Sequence, residues 1–179
     1  MAIAAPFNLI DWIEQNKDLL KPPVGNKNLY KEAGDYIVMV VGGPNARKDY
    51  HYNETEELFY QLEGTIEIHI QEDGKKRTMK LGPGDMYLHP AGVPHSPVRH
   101  ENSIGLVIER KRNNLAGKDG LLWFCDNCNS KLYEAYFLLN DVETDFFEHF
   151  KDFYGDQEKR TCNDCGEIMP TDKRFVPED

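Results

Sequence analysis

The sequence lacks the features that mark several large classes of protein. Its 179 residues include no apolar stretch near the ~18 residues that a membrane-spanning helix needs. The segment from Met1 to Asp11 has no basic region ahead of its few apolar side chains, so we expect no secretory signal and a cytoplasmic location. It also shows no internal repeat and no low-complexity segment. We therefore expect neither a membrane protein nor a repeat architecture.

Positive charge and cysteine are also scarce. There are 21 basic and 31 acidic residues, for a formal net charge of -10, and such a surface repels phosphate backbones. We accordingly expect no nucleic-acid partner. The four cysteines are not expected to form disulfides in the cytosol. Hydrophobic residues make up 40% of the chain, which is enough for a buried core, and the length suits one domain with or without an extension.

Short β-like runs separated by turn residues fill the centre of the chain. A helix capped by Asn8 precedes them, and Pro22-Pro23 ends any helix in that region. The predicted strands are Tyr36–Val41, Glu57–Leu62, Thr65–Ile70, Arg77–Leu81, Met86–His89 and Ile104–Arg110. Many short strands joined by tight turns are typical of an antiparallel barrel or sandwich, so the predicted fold class is mainly β.

The composition changes in the last third of the chain. We expect a strand over Lys131–Leu139 and a helix over Val142–Tyr154. One face of this helix would be apolar, formed by Val142, Phe146, Phe150 and Phe153. The predicted organisation is therefore a barrel with an N-terminal helix over residues 1–115 and a C-terminal segment over residues 116–179. We expect the two parts to pack together as one domain.

Two histidines and one carboxylate stand in a pattern that suits a metal. In an extended chain, residues two apart point to the same face of the strand. Arg47, His51 and Asn53 would therefore share one face. His95, Pro97 and Arg99 would do the same on their own segment. If both segments are barrel strands, His51 and His95 can point into one cavity, and Glu57 on the next strand can join them. Two imidazoles and one carboxylate leave one face of the metal open, an arrangement that suits Fe(II).

Other charged and polar residues have ordinary structural interpretations. His69, His100 and His149 are interpreted as surface or structural residues, and His89 as a core residue or a neighbour of the ligands. The basic run at residues 110–112 is interpreted as a solvated strand end rather than a binding patch.

Both histidine segments resemble the two conserved motifs of cupins. The first motif is present as His51, then Asn53 where a second histidine is usual, then Glu57 and Gly64, with Asn45 where the opening glycine is usual. The second motif is present as Gly84, Pro90, Gly92 and His95, with Arg99 where asparagine is usual. These departures argue against the cupins that use three histidines. The resemblance implies a cupin jelly-roll barrel with a few short helices.

From about Phe7 to Phe175 the sequence closely resembles the 3-hydroxyanthranilate 3,4-dioxygenase family. The resemblance implies cleavage of an aromatic ring at Fe(II) held by His51, Glu57 and His95, with O2 as co-substrate. The product would be 2-amino-3-carboxymuconate semialdehyde, a precursor of quinolinate and NAD. No organic cofactor is implied. The resemblance also implies a homodimer, to which the apolar Phe7 and Trp12 could contribute.

The implied substrate carries a carboxylate, an amine and a phenolic hydroxyl, and the sequence offers partners for each. Arg47 and Arg99 each stand four residues, or ~13 Å of strand, from a proposed ligand, and a long arginine can lean back over part of that distance. The planar guanidinium suits a carboxylate, although a surface salt bridge is the alternative for either residue. The resemblance assigns Glu109 to the hydroxyl and amine region as acid/base; from its place alone it could also be a surface charge.

Four cysteines near the C-terminus form a second constellation. Cys125 and Cys128 make one Cys-x2-Cys pair and Cys162 and Cys165 another, with 33 residues between the pairs. Two such pairs can surround one metal tetrahedrally, although two disulfides or four unrelated core cysteines are alternatives. The arrangement resembles rubredoxin and the bacterial and fungal branch of the family. Iron or zinc would fit, and the site would staple the C-terminal segment.

Two other functions remain open at this point. One is a sugar-processing cupin isomerase, and the other is a non-enzymatic binding or sensor cupin that holds a small carboxylate. The combination of Arg47, Arg99 and Glu109 around two histidines and one carboxylate favours the dioxygenase.

Overall fold

The protein is described here by a computed structural model that covers residues 5–21, 25–45, 47–112, 118–139 and 144–176. Within these ranges the strands are β1 Asn26–Asn28, β2 Tyr36–Gly42, β3 Tyr50–Tyr52, β4 Glu57–Glu63, β5 Ile66–Glu72, β6 Lys75–Leu81, β7 Met86–His89, β8 His95–Arg99, β9 Ile104–Arg110, β10 Asp119–Phe124 and β11 Lys131–Phe137. The helices are α1 Leu9–Asn16, a 3-10 helix Lys17–Leu20, α2 Phe146–Gly155 and α3 Gln157–Arg160. Of these helices, none has the length and apolar character needed to cross a bilayer.

The strands form two antiparallel sheets that face each other. The five-stranded sheet has the order β1-β2-β9-β4-β7, and the six-stranded sheet has the order β11-β10-β3-β8-β5-β6. Buried apolar side chains from both sheets fill the space between them: Met39, Phe59, Ile66, Ile68, Ile70, Leu81 and Val107. The predicted mainly-β fold with a few short helices is confirmed.

Alternation of side chains decides which face of each strand is buried. On β5, Ile66, Ile68 and Ile70 point into the core, while Glu67 and His69 lie on the other face and are half-buried. The turn from β5 to β6 is made by Asp73 and Gly74, whose φ angles are +51° and +72°. Positive φ at both central residues is what a type I′ hairpin requires, and Asp-Gly tolerates it well.

The N-terminal helix covers part of the outer face of the five-stranded sheet. As predicted, Asn8 caps it: the side-chain oxygen accepts hydrogen bonds from the backbone N–H of Ile10 at 2.9 Å and of Asp11 at 3.2 Å. Ile13 and Leu20 pack on Val40 and Ile104. The predicted breaker Pro22-Pro23 lies outside the described residues.

The C-terminal segment joins the six-stranded sheet. Strand β10 lies between β3 and β11, and α2 packs its aromatic side chains on Trp123 of β10. Strand β11 ends at Phe137 rather than Leu139, because its partner β10 begins at Asp119, opposite Phe137. Helix α2 begins at Phe146; the earlier start predicted at Val142 lies outside the described residues.

Candidate active site

His51 and His95 lie side by side on neighbouring strands inside the barrel. They are direct partners in the antiparallel pairing of β3 with β8. Their ring centroids are 5.5 Å apart, and both residues are buried. Both imidazoles therefore project from the same face of the six-stranded sheet, as the predicted alternation of side chains requires.

Glu57 reaches the two histidines from the opposite sheet. Its Oε2 lies 2.8 Å from Nε2 of His95, and one ligand atom from each of His51, Glu57 and His95 lies within 4.8 Å of the others. Burial opposes ionisation of Glu57, but His95 outweighs it and lowers the pKa of Glu57 to about 2. The carboxylate is thus held ionised beside two imidazoles, and the three residues can hold a divalent metal.

Two more polar residues, His89 and Asn53, lie beside this triad. The ring centroid of His89 is 4.2 Å from that of His95, and its Nε2 lies 2.8 Å from the carbonyl oxygen of Val93. Burial lowers the pKa of His89 to about 4, so it is neutral at physiological pH. Asn53, at the position of a second cupin histidine, accepts a hydrogen bond from the backbone N–H of Thr55 at 3.0 Å. Its oxygen thus supports a turn.

Arg99 is a buried cation near the other end of the same interior face. It is 3% exposed, and its Nη1 has no hydrogen-bond partner among the described residues. A Cβ placed on Gly105 would lie 2.9 Å from this nitrogen, so the glycine provides the space that the guanidinium occupies. Burial lowers the pKa of Arg99 to about 10, which leaves it charged at neutral pH. A buried charge with a free donor is a natural anchor for a carboxylate.

Arg47 lies at the wall formed by the C-terminal segment. Its Nε is 3.2 Å from the buried Oδ1 of Asp49. Its guanidinium carbon lies 5.6 Å from the ring centroid of Phe146 and 5.1 Å from that of Phe150, both on α2. Phe146 also contacts the ring of His51, with centroids 5.3 Å apart. Phe146 of α2 therefore contacts both Arg47 and His51.

Glu109 points into the barrel rather than to the surface. It is 3% exposed and lies opposite Glu57 in the pairing of β4 with β9. Burial, and then the nearby charge of Glu57, raise the pKa of Glu109. Val107, two residues earlier on the same face of β9, lies in the core between the sheets.

The interpretation of residues 110–112 as a solvated strand end is wrong for Arg112. Arg110 is exposed, but the Arg112 side chain is only 7% exposed, and its Nη2 lies 2.7 Å from Oε2 of Glu109. The reason is that β9 ends at Arg110, so strand alternation no longer sets the direction of the next side chains. Arg112 turns back towards the carboxylates inside.

Asp119 is a buried carboxylate that the sequence analysis did not identify. It is fully buried, and its Oδ1 lies 2.8 Å from Nε2 of His51. With Nε2 engaged by Asp119, Nδ1 is the nitrogen of His51 left for a metal, and the contact fixes the plane of the imidazole. The one signal in the sequence was an acidic residue at the start of the apolar run that forms β10.

The four cysteines come together at the other side of the C-terminal segment. All four are free thiols, and their sulfur atoms lie within 4.8 Å of one another. The Cys125–Cys165 and Cys128–Cys162 sulfur pairs are 3.6 and 3.5 Å apart. Tetrahedral zinc with bonds of ~2.3 Å would require about 3.8 Å between sulfurs, so the cluster is close to the size of a metal site. Contacts with Ser130 lower the pKa of Cys128 to about 6, which favours the thiolate.

The two cysteine loops share one backbone design. In each, the first cysteine donates its N–H to a carbonyl five residues later, at 2.8 Å in both cases: Ser130 for Cys125 and Glu167 for Cys162. The residue after the second cysteine has positive φ, +63° at Asn129 and +77° at Gly166. Asparagine and glycine are the residues that adopt this conformation most readily. The matched loops explain how distant pairs present their sulfurs to one point.

Comparison with known proteins identifies relatives of this chain. Residues 1–154 match the family described as 3-hydroxyanthranilic acid dioxygenase. Proteins named 3-hydroxyanthranilate 3,4-dioxygenase are 49% identical in Xanthomonas campestris, over 97% of both chains, and 44% identical in Bacillus cereus, over 92% of this chain and 91% of the relative. Among solved structures, a cupin-2 domain protein from Shewanella frigidimarina is 23% identical over 54% of this chain and 89% of that chain, with a TM-score of 0.43. The chain belongs to the 3-hydroxyanthranilic acid dioxygenase family.

Proposed function

We propose that this protein is an Fe(II)-dependent dioxygenase that converts 3-hydroxyanthranilate and O2 into 2-amino-3-carboxymuconate semialdehyde, with both oxygen atoms entering the product. The observation that carries the proposal is the buried set of His51, Glu57 and His95, with two further buried groups in the same interior: Glu109, and Arg99, whose Nη1 has no partner among the described residues. Family membership favours this function over a cupin isomerase or a binding cupin.

The residues of the chain bind and orient the substrate. Arg99 supplies a buried cation for the carboxylate, and Arg47, backed by Asp49 and two phenylalanines, supplies a second. Fixing the ring at this group places its hydroxyl and amine towards the triad at the other end of the interior. Glu109, opposite Glu57, is placed to accept the hydroxyl proton.

His51, Glu57 and His95 would hold the metal. Two imidazoles and one carboxylate suit Fe(II) and leave coordination positions for other ligands. When bound, Fe(II) supplies binding positions for the substrate and O2 and the electronic link between them. The core side chains Phe59 and Val107 line the same interior and limit the access of water.

Turnover provides the direct test of the function. Protein loaded anaerobically with Fe(II) is expected to consume one O2 per 3-hydroxyanthranilate on exposure to air, with a new near-ultraviolet absorption from the ring-opened product. Anthranilate, which lacks the hydroxyl, is the control and should give no oxygen uptake. Fully loaded protein that takes up no oxygen with 3-hydroxyanthranilate would sink the proposal.

The carboxylate anchor predicts a selective loss of affinity. Arg99→Ala should weaken binding of carboxylate-bearing ligands such as anthranilate by about 1.5–3 kcal/mol, because a hydrogen bond to a charged group is lost. Calorimetric titration measures this loss. In the parent protein, 2-aminophenol, which has no carboxylate, should bind poorly, and the substitution should leave that weak affinity unchanged. An equal loss for both ligands would mean that Arg99 supports the fold rather than the carboxylate.

We propose that the four cysteines bind iron or zinc and staple residues 116–179 to the barrel as one domain. The thiols are close to tetrahedral spacing, and Asn129 joins the first cysteine loop to the barrel by paired amide hydrogen bonds of 2.9 Å with Gln71. Structural metal binding is coupled to folding, so metal loss would destabilise the segment.

Cys125→Ser should therefore lower the melting temperature and the soluble yield. Activity per active-site metal should remain within a few-fold of the parent, because the cysteines lie outside the triad. Asn127→Ser, an exposed change in the same loop, is the control and should leave stability unchanged. A Cys125→Ser protein of normal stability that inactivates faster under repeated turnover would instead favour a redox role.

We propose that the protein is a homodimer formed by the outer face of the five-stranded sheet. Beyond the part covered by the N-terminal helix, two apolar rows cross this face: Leu88, Leu58, Ile108 and Val38 form one, and Met86 and Tyr60 form the other. Leu88 and Met86 are 54% and 64% exposed on the edge strand β7. An apolar edge needs cover, and a second copy would supply a matching surface.

Leu88→Glu should convert the dimer to a monomer, since a charge would be buried at the centre of the contact. Sedimentation velocity at micromolar concentration measures the change. Ile168→Glu, also at an exposed apolar residue but in the C-terminal segment, should remain dimeric. A parent protein that sediments as a monomer would contradict the proposal.

A further inference from the structure

Arg112 lies between two buried carboxylates, donating hydrogen bonds to Asp119 and forming a close ion pair with Glu109. Its Nε donates to Oδ2 of Asp119 at 3.1 Å, and its Nη2 donates to Oδ1 of the same residue at 2.7 Å. The same Nη2 lies 2.7 Å from Oε2 of Glu109. Nη1 donates to the carbonyl oxygen of Arg110 at 2.5 Å. Each guanidinium nitrogen thus has an acceptor, and one planar group joins two carboxylates.

These carboxylates serve different parts of the site. Asp119 contacts Nε2 of His51 at 2.8 Å, and His51 belongs to the triad that would hold the metal. Glu109 lies opposite Glu57, where the proposed function places the substrate hydroxyl. Arg112 therefore contacts both Asp119, the partner of the proposed metal ligand His51, and Glu109, the proposed acid/base.

The charge of Arg112 is also required where it lies. Glu109 and Asp119 are 3% and 0% exposed, and neighbouring buried carboxylates are costly without a compensating cation. Only a guanidinium offers donors in a fixed plane for two carboxylates at once; an ammonium group is a single point of charge. The chemistry thus requires arginine here, not merely a basic residue.

We propose that Arg112 is a positioning residue that holds Glu109 and, through Asp119, His51 at a fixed separation. The part of the proposal that concerns Glu109, called the Glu109 arm, rests on the proposed function. The part that concerns Asp119 and His51, called the Asp119 arm, rests on metal binding alone. The two arms make separate predictions, so each can fail by itself.

The first experiment separates kcat from KM. Arg112→Gln should lower kcat on the order of 10²-fold, the scale of a misplaced acid/base, with KM changed less than about 3-fold. Arg112→Lys should recover only part of this loss. Arg110→Gln, the exposed neighbour in the same basic run, is the matched control and should behave as the parent. In a Glu109→Gln background, Arg112→Gln should cost much less, because much of its effect passes through Glu109. Full additivity of the two substitutions would overturn the Glu109 arm.

The second experiment needs no turnover. Anaerobic equilibrium dialysis of Fe(II) should show affinity reduced on the order of 10-fold in Arg112→Gln, as for loss of other partners of ligating histidines, and unchanged in Arg110→Gln and Glu109→Gln. Unchanged Fe(II) affinity in Arg112→Gln would overturn the Asp119 arm. If the Gln variant does not fold, Arg112→Lys carries both measurements. A parent protein that binds Fe(II) but consumes no O2 would contradict the proposed function. The Fe(II) affinity of Arg112→Gln would still test whether Arg112 positions His51 through Asp119.

Discussion

The His95→Ala protein is expected to retain its fold but to lose about one metal ion per chain and all measurable turnover. His95 supplies one of the three ligand atoms, and it also contacts the second ligand, Glu57, at 2.8 Å. Its removal leaves two ligands, of which one is a buried carboxylate without its partner, so the affinity for the metal should collapse. Metal analysis of the purified protein and oxygen uptake measure the two losses.

The matched control is His69→Ala. His69 lies on the neighbouring strand β5 but on the opposite face, and its contact is with Glu67 at 3.4 Å. This variant should keep its metal and its turnover. His51→Ala and Glu57→Ala should repeat the result of His95→Ala. If His95→Ala kept both its metal and its turnover, the assignment of the triad would be wrong.

Glu109→Gln is expected to retain its metal while kcat falls by about 10²–10⁴-fold, the usual contribution of a positioned acid/base. The substitution keeps the size of the side chain and removes its ability to take a proton. Burial and Glu57 raise the pKa of Glu109, so it is a stronger base than an exposed glutamate and better suited to accept the hydroxyl proton. Steady-state kinetics and metal analysis together measure the separation.

Glu67→Gln is the control for this change, since Glu67 lies on the outer face of β5 and pairs with Lys80. It should show parental kinetics. Near-parental turnover of Glu109→Gln would contradict the acid/base role and leave Glu109 as a counter-ion for Arg112.

The sequence could predict the strands and the triad because alternation is a local property. A residue's parity follows from its strand alone, so the common face of His95 and Arg99 could be derived before their neighbours were known. For Glu109 a surface position stayed open, and its burial is seen only in the structure. The strands Met86–His89 and Ile104–Arg110 have the predicted bounds. The cap at Asn8 is local in the same sense.

The rest depends on contacts between distant parts of the chain. Arg112 follows the end of a strand, where alternation gives no direction, and its partner Asp119 is the first residue of the next strand, β10. The role of Asp119 is evident only from its contact with His51, which lies 68 positions away in the sequence. Likewise, the contact of Arg47 with α2 requires the packing of the C-terminal helix against the barrel. No local pattern encodes such neighbours.

The position of β10 between β3 and β11 sets the order in which the site can be completed during synthesis. His51 pairs with Leu121, so the strand that carries this histidine has only one of its two neighbours until residues 119–124 have been made. Pairings between distant segments form slowly, since long loops must close first. A nascent chain that ends before β10 has all three triad residues but lacks Asp119 beside His51. If the triad holds the metal as proposed, we expect its full affinity only after β10 has been made, in the last third of translation or after release.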